Sequence, residues 1–197
     1  KKNENQNIGI CGTKMVDDLG RTVASVSRFP TLKNLLFKIS GFDFLFKKQG
    51  MLMRDFDHEK SGYVDQIIGA FFLIKRELFL KLDGFDEDFF LYMDEVDLSL
   101  RVKKLGYKSY YYADGKCFHK GGVSSKKNMV QRNINVLKSR IIYARKHFSK
   151  TDILVLIFAS VFFEPLIRVT FYIFKLSPSN IKITIASYLY FIKWLIK

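Results

Sequence analysis

The sequence predicts an α/β domain followed by a helical tail, and three observations support this class. Short β-rich segments alternate with helical patterns over residues 1–124. Long helical patterns of apolar residues then fill residues 125–197. Hydrophobic residues make up 48% of the 197-residue chain and include 20 Phe, which excludes a disordered chain. We therefore predict two parts, divided at residue 124.

The first part opens with a short β-rich segment, IGICGTKMV, at residues 8–16, followed by a turn at residues 17–20. A helix opened by Pro30 is predicted next, because apolar residues recur at helical spacing (Leu32, Leu35, Leu36 and Ile39). Residues 40–62 contain three glycines and mixed charge, and they predict a long loop.

The second half of this part predicts a buried strand, two helices and a hairpin. The strand covers residues 63–74 and leads into a helix from Arg76 to Leu82, with Gly84 placed to end it. A further helix begins near Asp94 and ends at Gly106. Residues 107–119 contain an Asp-Gly pair between β-rich runs, which predicts strand, turn and strand.

The tail predicts one amphipathic helix and two strongly apolar helices. From residue 125 to 150, apolar residues recur every three or four positions (Val130, Ile134, Leu137, Ile141, Ala144 and Phe148). Residues 153–174 are nearly all apolar and long enough to cross a bilayer, although Glu164 and Arg168 interrupt them and Pro165 predicts a kink. Residues 181–196 form a second, shorter apolar segment.

Three arrangements are open for these apolar helices. Basic flanks with nearby Trp and Tyr favour helices lying in the interface of an anionic membrane. A hairpin of core helices packed on the domain is the second arrangement, and a hairpin spanning the membrane is the third. The first is preferred because the polar stripe is too narrow for an ordinary surface helix.

The charge balance predicts anionic partners. Lys and Arg number 33 against 19 Asp and Glu, a net charge of +14. The basic residues cluster beside apolar stripes in the tail, which suits lipid headgroups and argues against nucleic acid. Two distant cysteines, Cys11 and Cys117, indicate a reducing compartment without a disulfide framework. We expect the cytoplasmic face of a membrane.

The stretch GFDEDFFLYMDEVDLSLRVKKLGY, residues 84–107, is the best candidate for chemistry. Purely structural roles could account for all three helix acids: Asp94 as the cap, Glu95 as a partner of the helix dipole, and Asp97 in an ion pair with Arg101. The aromatic run before the acids instead indicates a partly dry cleft. Glu95 is then the carboxylate that the helix does not need. His119, beside Gly-Gly at a predicted strand end, is a candidate ligand.

In order, these residues resemble the C-terminal half of the catalytic domain of family 2 glycosyltransferases, in the rhamnosyltransferase-like branch. The shared pieces are the strand GAFFLIKR, the turn GFDEDFF, the paired-acid helix DEVDLSLR, the GY after it and the end HKGGVSS. The resemblance covers residues 8 to 125. It implies the Rossmann-like GT-A fold, inverting sugar transfer from a nucleotide-sugar donor, and a glycan or lipid-linked acceptor in cell-surface polysaccharide synthesis.

The resemblance also implies roles for single residues. Glu95 takes the position of the catalytic base, with Asp94 beside it as the other acid of the pair. Gly69 and Ala70 match the segment lining the donor and acceptor cleft, and Asp97 and Arg101 belong to the same substrate-binding helix motif. A divalent metal, Mg²⁺ or Mn²⁺, is expected on the leaving diphosphate, and His119 matches a position that in some relatives contacts the metal or the diphosphate.

Two features depart from the family pattern. The usual order of the pair is Glu-Asp, whereas this chain has Asp94-Glu95. The nucleotide-binding first half of the family, with its Asp-x-Asp motif, has no counterpart before residue 8, and the Asp-x-Asp at residues 55–57 falls in the loop and is interpreted as a decoy. We expect the chain to be a fragment of a longer product, inactive by itself.

Two other functions are weighed against sugar transfer. A non-catalytic module that binds membrane surfaces accounts for the charge and the apolar tail. A metal-dependent hydrolase using the helix acids and His119 ranks lower, because acids at 94, 95 and 97 on one helix point in different directions and do not converge on one ion.

Overall fold

A computed structural model describes residues 7–42, 50–121 and 128–197, which form two compact units. The sheet unit comprises residues 7–29, 50–88 and 93–121. The helical unit comprises residues 30–42, 89–92 and 128–197. The helix at residues 32–40 and the short segment 89–92 therefore pack with the tail, although both precede residue 124.

The sheet unit is built around two parallel strands, β1 (Ile8–Val16) and β7 (Lys108–Phe118). The strands β2 (Thr22–Val23) and β6 (Leu73–Ile74) pair with β1 in the antiparallel sense, and β4 (Gly62–Val64) pairs with β7. A separate antiparallel pair joins β3 (Val26–Ser27) to β5 (Gln66–Ile67). Together with the helices, this mixed sheet confirms the α/β class.

Two short helices pack in the sheet unit, α2 (Arg76–Lys81) and α3 (Asp94–Lys104). Apolar residues from strands and helices share one core, including Ile10, Ile67, Leu98, Val102 and Tyr111. Gly84 follows α2 with φ 68°, and its N–H donates to Phe79 O at 2.9 Å, so the predicted glycine stop is confirmed. Gly106 has φ 85° after α3, where the helix was predicted to end.

The predicted continuous strand over residues 63–74 is wrong. The structure divides it into β4, β5 and β6, with a turn at residues 69–70 between the last two. Strand propensity alone could not show this, because β5 and β6 pair with different partners, β3 and β1.

The predicted hairpin at residues 107–119 is also wrong, because β7 is a single strand with a bulge. Thr13 pairs with Tyr112 while the next residue, Lys14, pairs with Lys116, so residues 113–115 form a bulge in β7. A Cβ on Gly115 would lie 2.4 Å from Thr13 Oγ1. Gly115 therefore allows β1 and β7 to approach closely at the bulge. The sequence predicts a turn at this Asp-Gly pair instead.

The helical unit contains α1 (Leu32–Ser40), α4 (Met129–His147), α5 (Lys150–Phe158), α6 (Glu164–Phe174) and α7 (Pro178–Leu195). Thr31 and Asn34 form a capping box at the start of α1. The apolar stripe predicted for α4 is confirmed, with Ile134, Leu137, Ile141 and Ala144 all buried. The residues before Asn128 that were predicted to belong to this helix lie outside the described residues.

A π-helical turn, Ala159–Phe163, joins α5 to α6 just before Pro165. Residues 150–174 thus form one 25-residue helical segment. Pro165 has no N–H to donate, and a wider turn is a common way for a helix to accommodate such a residue. By length and composition, the segment is the one helix in the described chain that could cross a membrane.

Candidate active site

The paired acids follow two residues with unusual backbone conformations. Tyr92 and Met93 both have positive φ, 69° and 67°, although neither is glycine. Met93 is the N-cap of α3 and makes no side-chain capping bond. The predicted cap at Asp94 is therefore wrong, since Asp94 is the first residue inside the helix. Left-handed non-glycine residues cost free energy and cluster at functional sites.

Glu95 lies half-buried in the first turn of α3. Burial, with a second contribution from the charge of Asp94, raises the pKa of Glu95 to about 7. The N–H groups of Glu95 itself and of Gly69 favour the ionised carboxylate and lower its pKa, whereas the Asp94 side chain raises it. The helix N-terminus alone would lower this pKa, but desolvation and the like charge of Asp94 outweigh the helix dipole.

Gly69 and Ala70 form the exposed turn that faces Glu95 between β5 and β6. A Cβ on Gly69 would lie 3.8 Å from the Cβ of Glu95, which is ordinary contact for a methyl group. A larger side chain would extend into the space beside the carboxyl. Gly69 therefore contributes both a donor and an open approach to Glu95, and the lining role of Ala70 remains a prediction.

Asp97 and Arg101 are joined by an ion pair, Nε to Oδ2, of 2.6 Å. The guanidinium also donates to Leu82 O at 2.6 Å and Gly84 O at 2.9 Å, which fixes the chain after α2 against α3. Asp97 is only 1% exposed. The ion pair predicted from the spacing of these residues is thus observed, and their substrate-binding role remains a prediction.

The aromatic run before the acids does not form one packed wall. Phe89 is buried in the helical unit with Lys146 Nζ 6.0 Å from its ring, whereas Phe90 is 85% exposed. Ser139 Oγ of α4 donates to Leu91 O at 2.7 Å, and this bond fixes residues 89–92 to α4. The burial of Glu95 is therefore not evidence for the aromatic cleft predicted from the sequence.

His119 lies just beyond β7, where its N–H donates to Val16 O at 3.0 Å. Within the described ranges, no group of three or more His, Cys, Asp or Glu side chains is placed to hold a metal ion. The described part of the chain therefore does not form a metal site by itself, and ligation by His119 remains a prediction.

Both acids of the Asp-x-Asp sequence at residues 55–57 form ion pairs. Asp55 accepts two bonds from Arg28 Nη2, at 2.6 and 2.7 Å, and Asp57 pairs with Lys60 at 3.0 Å. These contacts agree with its interpretation as a decoy. The acids at residues 17–18 belong to a turn, as predicted: Asp17 accepts from the N–H groups of Leu19 and Arg21.

Comparison with known proteins gives short matches to sugar transferases. No family model matches the chain. Over 56 residues it is 38% identical to N-acetylglucosaminyl-diphospho-decaprenol L-rhamnosyltransferase of Mycobacterium tuberculosis, covering 28% of this chain and 18% of that protein. Over 48 residues it is 35% identical to rhamnosyltransferase WbbL of Escherichia coli K12, covering 24% and 18%. The matches span less than a fifth of these curated relatives, and they suggest a glycosyltransferase.

Proposed function

We propose that the chain carries the acceptor-side half of an inverting glycosyltransferase with the GT-A fold, of the rhamnosyltransferase-like branch of family 2. One observation carries the proposal: a half-buried Glu95, with a pKa near 7, lies at the start of α3 beside the open turn at Gly69. A carboxylate with this pKa suits a general base at neutral pH, because it is substantially ionised and still basic enough to accept a proton.

In the proposed reaction, Glu95 acts only as the proton acceptor. An acceptor hydroxyl attacks the anomeric carbon, the new carbon–oxygen bond forms on one face, and the bond to the nucleoside diphosphate breaks on the other. The hydroxyl proton passes to the Glu95 carboxylate, and the nucleoside diphosphate leaves with the bonding electrons. Asp94 supports this step through its charge, which keeps the pKa of Glu95 high. Holding the two substrates in line would supply much of the rate.

The names of the relatives guide the choice of substrates. One of them is named as transferring L-rhamnose to a sugar on decaprenyl diphosphate. For this chain we propose a nucleotide-activated hexose such as L-rhamnose as donor, and a lipid-linked sugar as acceptor, in cell-surface polysaccharide or glycolipid synthesis. A divalent metal is proposed for the donor diphosphate, but no step is assigned to it because the described residues form no metal cluster.

The test is sugar transfer by the enzyme that contains this chain. Glu95→Gln keeps the size of the side chain and removes the base, so we expect turnover to fall by roughly 10²–10⁴-fold. Glu87→Gln is the matched control, because Glu87 is an exposed acid of the same stretch. Unchanged turnover in the Glu95→Gln enzyme would reject Glu95 as the base.

A second candidate is a non-catalytic module at the cytoplasmic face of a membrane. The observation that favours it is the apolar surface of residues 150–174, where Phe158, Phe162 and Leu166 are each more than half exposed. Titration with nucleotide-sugars, with and without Mn²⁺, separates the candidates when done on the enzyme that contains this chain. Saturable binding that requires Mn²⁺ supports the transferase, and the absence of Mn²⁺-dependent binding at millimolar donor supports the membrane module.

A further inference from the structure

The sheet unit contains a cavity that the proposed sugar transfer does not use. It has a volume of about 340 Å³ and is lined by three cations (Arg28, Lys103 and Lys108) and one carboxylate (Asp65), with Tyr63 and Tyr107 supplying aromatic surface. Glu95 and Lys103 lie near opposite ends of α3, eight residues apart, which is about 12 Å along a helix. The cavity lies beside Tyr107–Ser109, at the amino end of β7. Ligands of open α/β sheets usually bind beyond the carboxyl ends of the parallel strands instead.

The basic groups at the cavity are held in place by neighbours. Arg28 is fixed by Asp55 through Nη2 and by Gly50 O through Nη1 at 3.3 Å. Lys103 Nζ lies 3.1 Å from Asp65 Oδ1 and 4.8 Å from the ring centre of Phe29. These contacts orient two cations at the wall without motion of long side chains, which lowers the entropy lost on binding an anion.

Lys108 differs from the other two cations. Its Nζ lies 4.9 Å from the ring centre of Tyr63, and among the described residues no carboxylate forms an ion pair with it. Tyr63 is 42% exposed and packs edge-on against Tyr110. The cavity therefore presents a cation without an ion-pair partner among the described residues, next to a half-exposed tyrosine ring.

We propose that this cavity binds a phosphate monoester that also carries a planar ring, the chemistry shared by a free nucleotide and the nucleotide portion of a larger molecule. The phosphate would contact Lys108 with support from Arg28 and Lys103, and the ring would lie against Tyr63 or Tyr107. Fixed cations suit a dianionic phosphate, and the volume falls in the range of small-molecule sites. The proposal does not depend on sugar transfer.

Calorimetric titration of the chain tests this with four probes: uridine monophosphate, phenyl phosphate, uridine and inorganic phosphate. We expect the two ring phosphates to bind and uridine and inorganic phosphate to bind at least tenfold more weakly. Lys108→Ala should weaken the ring phosphates roughly tenfold or more, since a charge-assisted contact is lost. Lys116→Ala is the matched control, because Lys116 is a lysine on the same strand that does not line the cavity.

Two further variants separate this site from the others. Tyr63→Ala should weaken phenyl phosphate and leave inorganic phosphate unchanged. Glu95→Gln should leave all four affinities unchanged, so a failure of the base assignment does not affect this result. Equal loss in the two lysine variants, equal and measurable affinity for inorganic phosphate and both ring phosphates, or no binding of either ring phosphate would overturn the proposal. Binding of uridine monophosphate but not of phenyl phosphate would support it and identify the source as a nucleotide.

Discussion

At the scale of residues, the site depends on how one carboxyl is surrounded. Glu95 combines partial burial, an adjacent acid and two N–H donors, and the first two outweigh the donors in setting its pKa. The sequence singles out Glu95 because a helix cap and an ion pair would account for Asp94 and Asp97. It could not indicate the direction of the pKa shift, because desolvation depends on tertiary packing. The positive φ of Tyr92 and Met93 likewise has no local sequence signal.

The raised pKa of Glu95 makes stability depend on pH. The folded protein holds the proton up to about pH 7, whereas an unfolded glutamate releases it near pH 4.5. Between these values ionisation destabilises the fold, and the full cost is present above pH 7. We therefore expect Glu95→Gln to be more stable than the wild type at pH 8 by about 1–3 kcal/mol, with little difference at pH 4.

Urea unfolding of the two proteins at both pH values measures this difference. Glu87→Gln is again the control, since exposed substitutions usually change the free energy of unfolding by less than about 0.5 kcal/mol. A wild type as stable as Glu95→Gln at pH 8 would indicate that the carboxyl is ordinary.

At the scale of elements, α3 is positioned by Arg101. Its guanidinium joins the buried Asp97 of α3 to two carbonyl oxygens after α2. The spacing of residues 97 and 101 predicts the ion pair from sequence, but the carbonyl contacts come from a glycine-ended helix that must first fold. Strand segmentation between residues 63 and 74 was unpredictable for the same reason, because each short strand is defined by its partner.

We predict that Arg101→Met destabilises the chain by about 3 kcal/mol, because it removes the guanidinium that neutralises the buried Asp97 carboxylate. Adding Asp97→Asn should restore part of the loss, since the buried negative charge is then removed. The free energy of unfolding from urea titrations measures both effects. Lys104→Met, on the exposed side of α3, is the control. If Arg101→Met equals this control in stability, the proposed positioning of α3 is wrong.

At the scale of the whole molecule, the chain combines a sheet unit that carries the candidate base with a helical unit that carries an apolar surface. The helical unit buries charge inside: Arg140 and Arg168 both bond to Glu164, which is 2% exposed. This accounts for two charges that interrupt the apolar segment in the sequence. The α/β class was predictable from the alternation of patterns, whereas the grouping of residues 32–40 with the tail depends on long-range packing.

We predict that the exposed apolar surface of residues 150–174 binds anionic membranes. Phe162→Ser together with Leu166→Ser removes two exposed apolar contacts, 60% and 64% exposed, and should weaken binding to vesicles containing phosphatidylglycerol by roughly tenfold or more. Cosedimentation with such vesicles measures the loss. Leu19→Ser, an exposed apolar residue of the sheet unit, is the control. Equal binding by all three proteins would reject the surface as a membrane contact.

Glu95 is proposed to accept a proton near neutral pH because its surroundings raise its pKa. Titration of its side-chain carboxyl by ¹³C NMR, assigned by comparison with Glu95→Gln, measures this on the chain itself. The structure predicts a midpoint of about 7, which moves lower in Asp94→Asn because a neighbouring negative charge is removed. A midpoint near 4.5 in the wild type, unchanged by Asp94→Asn, would contradict the claim.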